Sequence, residues 1–78
     1  MNGFIITLSK GYSLDRNFHW MPRSPVESYV FSPEETERIL EVAKKESWHL
    51  MPKFITPATY ADNKVYLTGK PRPAYPEE

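Results

Sequence analysis

Residues 31–40 read Phe-Ser-Pro-Glu-Glu-Thr-Glu-Arg-Ile-Leu, and this stretch contains a complete signal for the start of a helix. The Ser32 side chain can accept a hydrogen bond from the backbone N–H of Glu35, while the Glu35 carboxylate can reach back to the N–H of Ser32. Pro33 occupies the first helical position, where its missing N–H leaves no hydrogen bond unmade. The stretch therefore predicts a helix that begins at Pro33, and we expect the other elements to pack around it.

The predicted helix continues to about Ser47 and carries a narrow apolar stripe. Thr36, Ile39, Leu40 and Ala43 recur at the spacing of one helical face. Val42 lies near the edge of that stripe. Glutamates early in the segment and lysines late in it suit the helix dipole. These features predict one amphipathic helix that buries a single face.

Segments on both sides of the helix alternate apolar and polar residues as strands do. The predicted strands cover residues 4–8, 26–31, 49–55 and 64–68, and residues 12–14 could return as a short second strand. Residues 15–25 show no clean period and are interpreted as a long loop rich in aromatic residues. Residues 56–63 are interpreted as a second loop, because they hold Pro57 and an Asp-Asn turn signal. The pattern predicts an α+β fold with one helix on a small, mostly antiparallel sheet of three to four strands.

The composition changes at Gly69. Residues 69–78 contain three prolines, four charged residues and one tyrosine. Such a segment offers too little apolar surface to offset the entropy of ordering it, so it predicts an extended, disordered tail outside the core. Residues 1–68 are accordingly assigned to a single small domain and residues 69–78 to a proline-rich tail.

Overall composition narrows the class of protein. The 78 residues contain ten Lys or Arg, ten Asp or Glu and no cysteine. A balanced charge provides no net basic field for non-specific nucleic-acid binding. The lack of cysteine argues against a disulfide scaffold and against a cysteine-based zinc module. Because the apolar stretches are too short for a signal peptide or a membrane span, we expect a cytoplasmic protein that has no membrane partner.

A short segment at residues 18–23 concentrates the residue types that anchor protein interfaces. It contains Phe18, Trp20, Met21 and Arg23. Aromatic residues, methionine and arginine are enriched in interfaces, so these residues are candidate partner-binding residues, with Trp20 as the expected anchor. The alternative is that Phe18 or Trp20 packs beneath the loop and closes a small core.

The tail supplies a second group of candidate partner-binding residues: Lys70, Arg72 and Tyr75. Together with Lys53, Lys64 and nearby tyrosines, these cations give a partial case for a nucleic-acid surface, since aromatics stack on bases and cations follow phosphates. The tail could also be a proline-rich ligand for an aromatic groove on another protein.

The sequence contains no motif for catalysis. Its two histidines, His19 and His49, are separated by thirty positions, which is not the spacing of a zinc site. Its glycines are isolated, and it has no Gly-x-Ser-x-Gly motif. We therefore expect no enzyme activity, no metal, no cofactor and no small-molecule substrate.

The order of these segments resembles small proteins encoded by bacteriophages. The resemblance covers about residues 3–55: Gly-Phe-Ile-Ile-Thr at 3–7, a loop with a tryptophan, Tyr-Val-Phe-Ser at 29–32, and Pro-Glu-Glu opening an Ile-Leu helix. It implies a compact, cofactor-free domain that binds and redirects a host protein, such as RNA polymerase or a defence nuclease. It assigns no functional residue.

The leading hypothesis is thus a non-enzymatic protein that binds and modulates a host protein machine in the host cytoplasm. Transcription machinery is the first expected target and a defence nuclease the second. The alternative is a small nucleic-acid-binding module that uses the basic C-terminal half of the chain.

Overall fold

The computed structural model describes residues 2–8, 11–22 and 28–76. One helix packs on an antiparallel sheet, so the predicted α+β class is confirmed, although the sheet has more strands than predicted. The elements are β1 (Asn2–Thr7), β2 (Tyr12–Leu14), β3 (Trp20–Pro22), α1 (Pro33–Glu46), β4 (Phe54–Ala61), β5 (Lys64–Leu67) and β6 (Arg72–Pro73). The sheet order is β3-β2-β1-β4-β5, and β6 also pairs with β4.

Helix α1 begins where the sequence predicts. Ser32 is the N-cap, and its Oγ accepts a hydrogen bond from the Glu35 N–H at 3.1 Å. The Glu35 carboxylate accepts a bond from the Ser32 hydroxyl at 3.3 Å, in place of the predicted bond from the Ser32 N–H. At the other end, Ser47 adopts a left-handed conformation that turns the chain out of the helix.

The core has two parts, one on each face of the sheet. The cluster on the face beneath the helix, here called the helix face, contains Ile6, Leu14, Phe31 and Ile39. The cluster on the opposite face contains Ile5, Val30, Ala58 and Val65. Successive strand residues point to opposite faces, and Ile5 and Ile6 are both fully buried. Strand β1 is therefore the layer that the two clusters share.

Residues 28–31 carry the chain around the edge of β1, from the opposite face to the helix face. Phe31 and Phe4 exchange two backbone hydrogen bonds of 2.8 Å at this crossing. A Cβ atom at Gly3 would overlap the carbonyl oxygen of Phe31. Only glycine allows the two backbones to approach this closely.

The predicted strand over residues 26–31 is not a regular strand where the structure describes it. Phe31 forms an isolated bridge to Phe4, and residues 28–30 have no regular secondary structure. Residues 23–27, which include the start of the predicted strand, lie outside the described part of the chain. The physical reason is the change of sheet face: a continuous strand could not pass around the edge of β1.

Strand β4 replaces the predicted loop at residues 56–63 for most of its length. The sequence predicts a loop here because Pro57 lacks the N–H group that a strand ladder needs. In the structure, the Pro57 carbonyl accepts the Thr68 N–H at 2.9 Å, at the point where β5 ends. In β4, residues 58–61 pair with β5 and residues 54–55 pair with β6, so Pro57 lies between the two paired segments. Its missing N–H therefore interrupts neither pairing. The predicted strand at 49–55 is correspondingly wrong except at residues 54–55.

The predicted turn at Asp62 and Asn63 is confirmed. Both residues have positive φ angles, 52° and 61°, as a two-residue hairpin of the favoured kind requires. The turn joins β4 to β5 and closes the pair of Ala61 with Lys64. The predicted aromatic loop at 15–25 differs more, since Trp20–Pro22 forms β3 and pairs with β2.

The proline-rich segment also differs from the extended tail that its composition predicts. Strand β6 pairs Arg72 with Ile55, and the Ala74 N–H donates to the Lys53 carbonyl at 2.8 Å. Ala74 is only 5 % exposed. Proline is tolerated here because β6 is a short edge strand that needs few donors.

The helix is short and carries charged residues along most of its length. Within the described ranges, no helix has the length and apolar character that a membrane crossing requires.

Candidate partner-binding site

Phe18 lies in the turn between β2 and β3 with its side chain on the surface. The Phe18 N–H donates to the Asp15 carbonyl at 2.8 Å, and the Asp15 N–H donates to the His19 carbonyl at 2.8 Å. The turn holds Phe18 at a φ of 62°, a left-handed conformation that is uncommon for a bulky residue. The Phe18 side chain is 55 % exposed. Residues held in sparsely populated backbone conformations cluster at functional sites, so this conformation motivates a functional hypothesis for Phe18.

Trp48 faces Phe18 from the end of the helix. The Trp48 N–H donates to the Ala43 carbonyl at 3.1 Å, and its indole N–H donates to the Glu46 carboxylate at 3.0 Å. The ring is half-buried against the helix-face cluster. The centroids of the Phe18 and Trp48 rings are 6.3 Å apart, with the ring planes inclined by 51°. This tilted arrangement is a favourable one for aromatic pairs.

A groove of about 280 Å³ opens beside this aromatic pair. We call it the aromatic groove; its lining consists of Phe18, Arg38, Ile39, Val42, Glu46 and Trp48. Arg38, Val42 and Glu46 follow one another at intervals of four residues along one flank of α1. The groove therefore has apolar walls with a positive side chain toward one end and a negative side chain toward the other.

Trp20 takes the core role that the sequence left open as an alternative. It is half-buried, packs against the helix-face cluster, and donates its indole N–H to the Leu50 carbonyl at 3.2 Å. That bond ties β3 to the segment between α1 and β4. Of the two aromatics proposed for the site, Phe18 is the more exposed.

Met21, another loop candidate, does not line the groove. Met21 pairs with Ser13 and, being next to Trp20 in β3, directs its side chain to the opposite face of the sheet. Arg23 lies outside the described residues.

Of the tail candidates, Tyr75 lies on the other flank of the helix. Lys70 and Arg72 are exposed, whereas Tyr75 is half-buried and donates its hydroxyl to the Leu40 carbonyl at 2.7 Å. Burial raises the pKa of the Tyr75 phenol above its usual value. A surface cavity of about 400 Å³ here is lined by Glu37, Leu40, Glu41, Lys44 and Tyr75. Phe18 and Tyr75 thus lie on different flanks of the helix.

Sequence reasoning missed the helix residues of the groove: Arg38, Val42 and Glu46. One signal was present, because Val42 is apolar yet lies at the edge of the buried stripe. Val42 lies beside the buried stripe of α1 and has a charged residue four positions away on each side. This pattern is consistent with a surface that binds a partner protein. Arg38 and Glu46 carry no comparable signal in the sequence alone.

A larger cavity of about 580 Å³ lies elsewhere on the surface. It is lined by Asp15, Arg16, Asn17, Ser28, Tyr29, Val30 and Tyr60. Two of its polar side chains are engaged within the fold: the Asp15 carboxylate accepts the Arg16 N–H at 2.8 Å, and Ser28 Oγ donates to Ser13 Oγ at 3.0 Å. Tyr60 also has an interaction partner. We therefore retain the aromatic groove as the candidate site.

Both histidines, His19 and His49, are exposed. Among the residues that the structure describes, no group of three or more His, Asp or Glu side chains is placed to hold a metal ion.

The chain was compared with models of protein families, with curated proteins and with solved structures, and no match was found in any of the three comparisons.

Proposed function

We propose that the protein is a non-enzymatic binding protein that attaches to a host protein through the aromatic groove. The observation that carries this proposal is the conformation of Phe18, which is exposed, has a positive φ angle and lies against Trp48. A bulky residue in this conformation destabilises the fold by roughly 1–2 kcal/mol, so its presence on the surface calls for a role outside the core.

The dimensions of the groove favour a side chain of a macromolecule over a small molecule. Its volume of about 280 Å³ lies at the lower limit of pockets that enclose small molecules, which span about 300–1,000 Å³. Apolar walls suit one large apolar side chain of the partner. Arg38 and Glu46 can pair with charges on either side of that anchor and so fix its orientation.

The resemblance to phage-encoded proteins supports the choice of partner. On that basis the protein acts in the cytoplasm of a bacterial host and modulates a host machine, for example as an inhibitor. RNA polymerase is the first partner to test and a defence nuclease the second.

Site-specific photo-crosslinking in bacterial cells tests this proposal. A photoreactive phenylalanine derivative replaces Phe18 in one variant and Tyr12, which is 46 % exposed, in a matched control. We expect position 18 to crosslink to a defined host protein and position 12 not to do so. The absence of any crosslink at position 18, or the same products from both positions, would contradict the proposal.

A second candidate function, nucleic-acid binding, is favoured by one observation on the C-terminal strands. The strand register places Lys64, Tyr66 and Arg72 on the helix face, because they pair with Ala61, Thr59 and Ile55. All three are exposed, so an aromatic ring and two cations share one surface. Titration of single-stranded DNA at several salt concentrations separates the candidates, since phosphate contacts make affinity fall steeply with salt.

A further inference from the structure

Strand β5 forms one end of the sheet, and its hairpin geometry fixes which of its backbone groups face outward. In a two-residue hairpin the residues that flank the turn, Ala61 and Lys64, exchange hydrogen bonds. The pairing alternates, so Tyr66 also bonds to β4, and the Thr68 N–H donates to Pro57 at 2.9 Å. The N–H and C=O groups of Val65 and Leu67 therefore point away from the sheet. Within the described chain, no strand lies on that side of β5.

The other outer strands are protected against pairing by proline. Strand β3 contains Pro22, and β6 contains Pro73. Proline has no N–H to offer, and charged side chains serve the same protective purpose. Strand β5 contains no proline, and its single charged residue, Lys64, is its first residue, so residues 65–69, Val-Tyr-Leu-Thr-Gly, contain neither proline nor charge. Strand β5 thus combines free backbone groups with Tyr66 and Leu67 side chains that are 48 % and 47 % exposed.

We propose that β5 pairs antiparallel with β5 of a second copy of this chain, about a twofold axis at Tyr66. Residues whose numbers are equally distant from 66 then face each other across the axis. Val65 of one copy faces Leu67 of the second, and the outward N–H and C=O groups of each pair bond to one another. The two Tyr66 rings meet on the helix face.

The charges around the strand are complementary in this register. Antiparallel pairing brings Asp62, in the hairpin turn before β5, to the same end of the interface as Lys70 of the second copy, which follows β5, and both residues are exposed. Lys64 faces Thr68, so no like charges oppose each other. This self-complementarity favours a second copy over an unrelated extended peptide.

The dimer leaves the aromatic groove free. Strands β2 and β3, which carry the turn with Phe18, lie on the far side of β1 and β4 from β5. Each dimer therefore presents two grooves, and bivalent attachment strengthens binding to a partner with two sites. The dimer does not depend on the function proposed for the groove.

Single cysteines test the twofold axis, because the natural chain has none. In a Tyr66→Cys variant the two Cβ atoms would lie about 4.5–5.5 Å apart, within the reach of a disulfide after small adjustment. Lys64→Cys is the matched control on the same face of the same strand. In this control the two cysteines of the dimer would lie about 13 Å apart, because they are offset by four residues along the strand direction.

Under mild oxidation we expect Tyr66→Cys to form a covalent dimer and Lys64→Cys to form no covalent dimer. Equal rates of crosslinking in the two variants, or no crosslinking in either, would overturn the proposed register.

Sedimentation equilibrium tests the association itself. We expect the wild-type chain, of 9.1 kDa, to approach twice that mass as its concentration rises. Leu67→Pro removes an outward N–H that does not bond to β4, and should raise the dimer Kd roughly ten- to thirty-fold, since two symmetric hydrogen bonds are lost. Leu67→Val is the control that keeps the N–H group. A wild-type chain that stays monomeric at its highest soluble concentration would refute the proposal.

Discussion

Single residues control the two points where the chain turns around the sheet and enters the helix. Gly3 allows the backbone of Phe31 to cross β1, and Ser32 caps the helix immediately afterwards. Neither side chain contributes much apolar surface. Their effect is geometric, because each determines whether neighbouring backbone groups find their hydrogen-bond partners.

Replacing Gly3 with alanine should destabilise the protein strongly. The new Cβ would overlap the Phe31 carbonyl, which belongs to the backbone and cannot rotate away. We expect a loss of roughly 2–4 kcal/mol in the free energy of unfolding, from overpacking together with a weakened Phe4–Phe31 hydrogen bond. Urea denaturation measures this loss. Gly69→Ala is the control, since its Cβ would meet only the side chain of Pro57. Equal losses of stability at the two positions would contradict the close approach of the Phe31 backbone to Gly3.

Ser32→Ala should cost about 1 kcal/mol in the free energy of unfolding, because it removes the acceptor of the Glu35 N–H. Ser32→Thr keeps a hydroxyl at the N-cap and should retain most of the stability. Thermal denaturation of both variants checks this expectation. An unchanged melting temperature for Ser32→Ala would mean that the cap bond contributes nothing.

Tyr75 should make stability depend on alkaline pH. Burial raises the pKa of Tyr75 in the folded state above its unfolded value. Its contribution is therefore complete below the ordinary tyrosine pKa of about 10 and is lost as the pH rises through the folded-state pKa. Tyr75→Phe removes the bond to Leu40 and should cost about 1 kcal/mol near neutral pH. The difference in unfolding free energy between wild type and variant should shrink above pH ~10; a constant difference would contradict this role.

At the scale of elements, local signals predicted the helix and the hairpin turn, and long-range contacts decided the rest. Ser32, Pro33 and the Asp62-Asn63 pair act through their immediate neighbours, so the sequence shows their structure directly. From the sequence alone, Pro57 and the proline-rich residues 69–78 predict the absence of regular secondary structure. Each is accommodated by a partner distant in sequence, Thr68 for Pro57 and Ile55 for Arg72, which no local pattern reveals.

Truncation after Thr68 should now destabilise the fold, although composition alone predicts no effect. The deletion removes the pairing of β6 with β4, the Ala74 bond to Lys53 and the Tyr75 bond to Leu40. We expect a loss of roughly 2–4 kcal/mol, given about 1 kcal/mol for each hydrogen bond lost. Chemical denaturation of the truncated chain measures it. A truncated protein with wild-type stability would restore the interpretation of residues 69–78 as a dispensable tail.

Considering the whole molecule, the sequence located one residue of the candidate site, Phe18. The concentration of aromatic residues at 18–23 pointed to Phe18, but it ranked Trp20 first as the anchor. The structure gives Trp20 a hydrogen bond to Leu50 and a place against the core, and it brings Phe18 to Trp48 and to the flank of α1. Arg38, Val42 and Glu46 line the groove because of the way the helix is rotated on the sheet. Sequence periodicity identifies the buried face of the helix but not which of its exposed flanks lies next to Phe18.

In the function proposed here, Phe18 is held on the surface for a partner and does not serve the core. The free energy of unfolding of Phe18→Gly tests this role of Phe18, with Trp20→Ala as the reference for a core aromatic. Glycine adopts a φ of 62° without strain, so we expect stability within about 1 kcal/mol of wild type, or above it, against a loss of about 3–5 kcal/mol for Trp20→Ala. A loss for Phe18→Gly as large as that for Trp20→Ala would show that Phe18 is a structural residue and would contradict the claim.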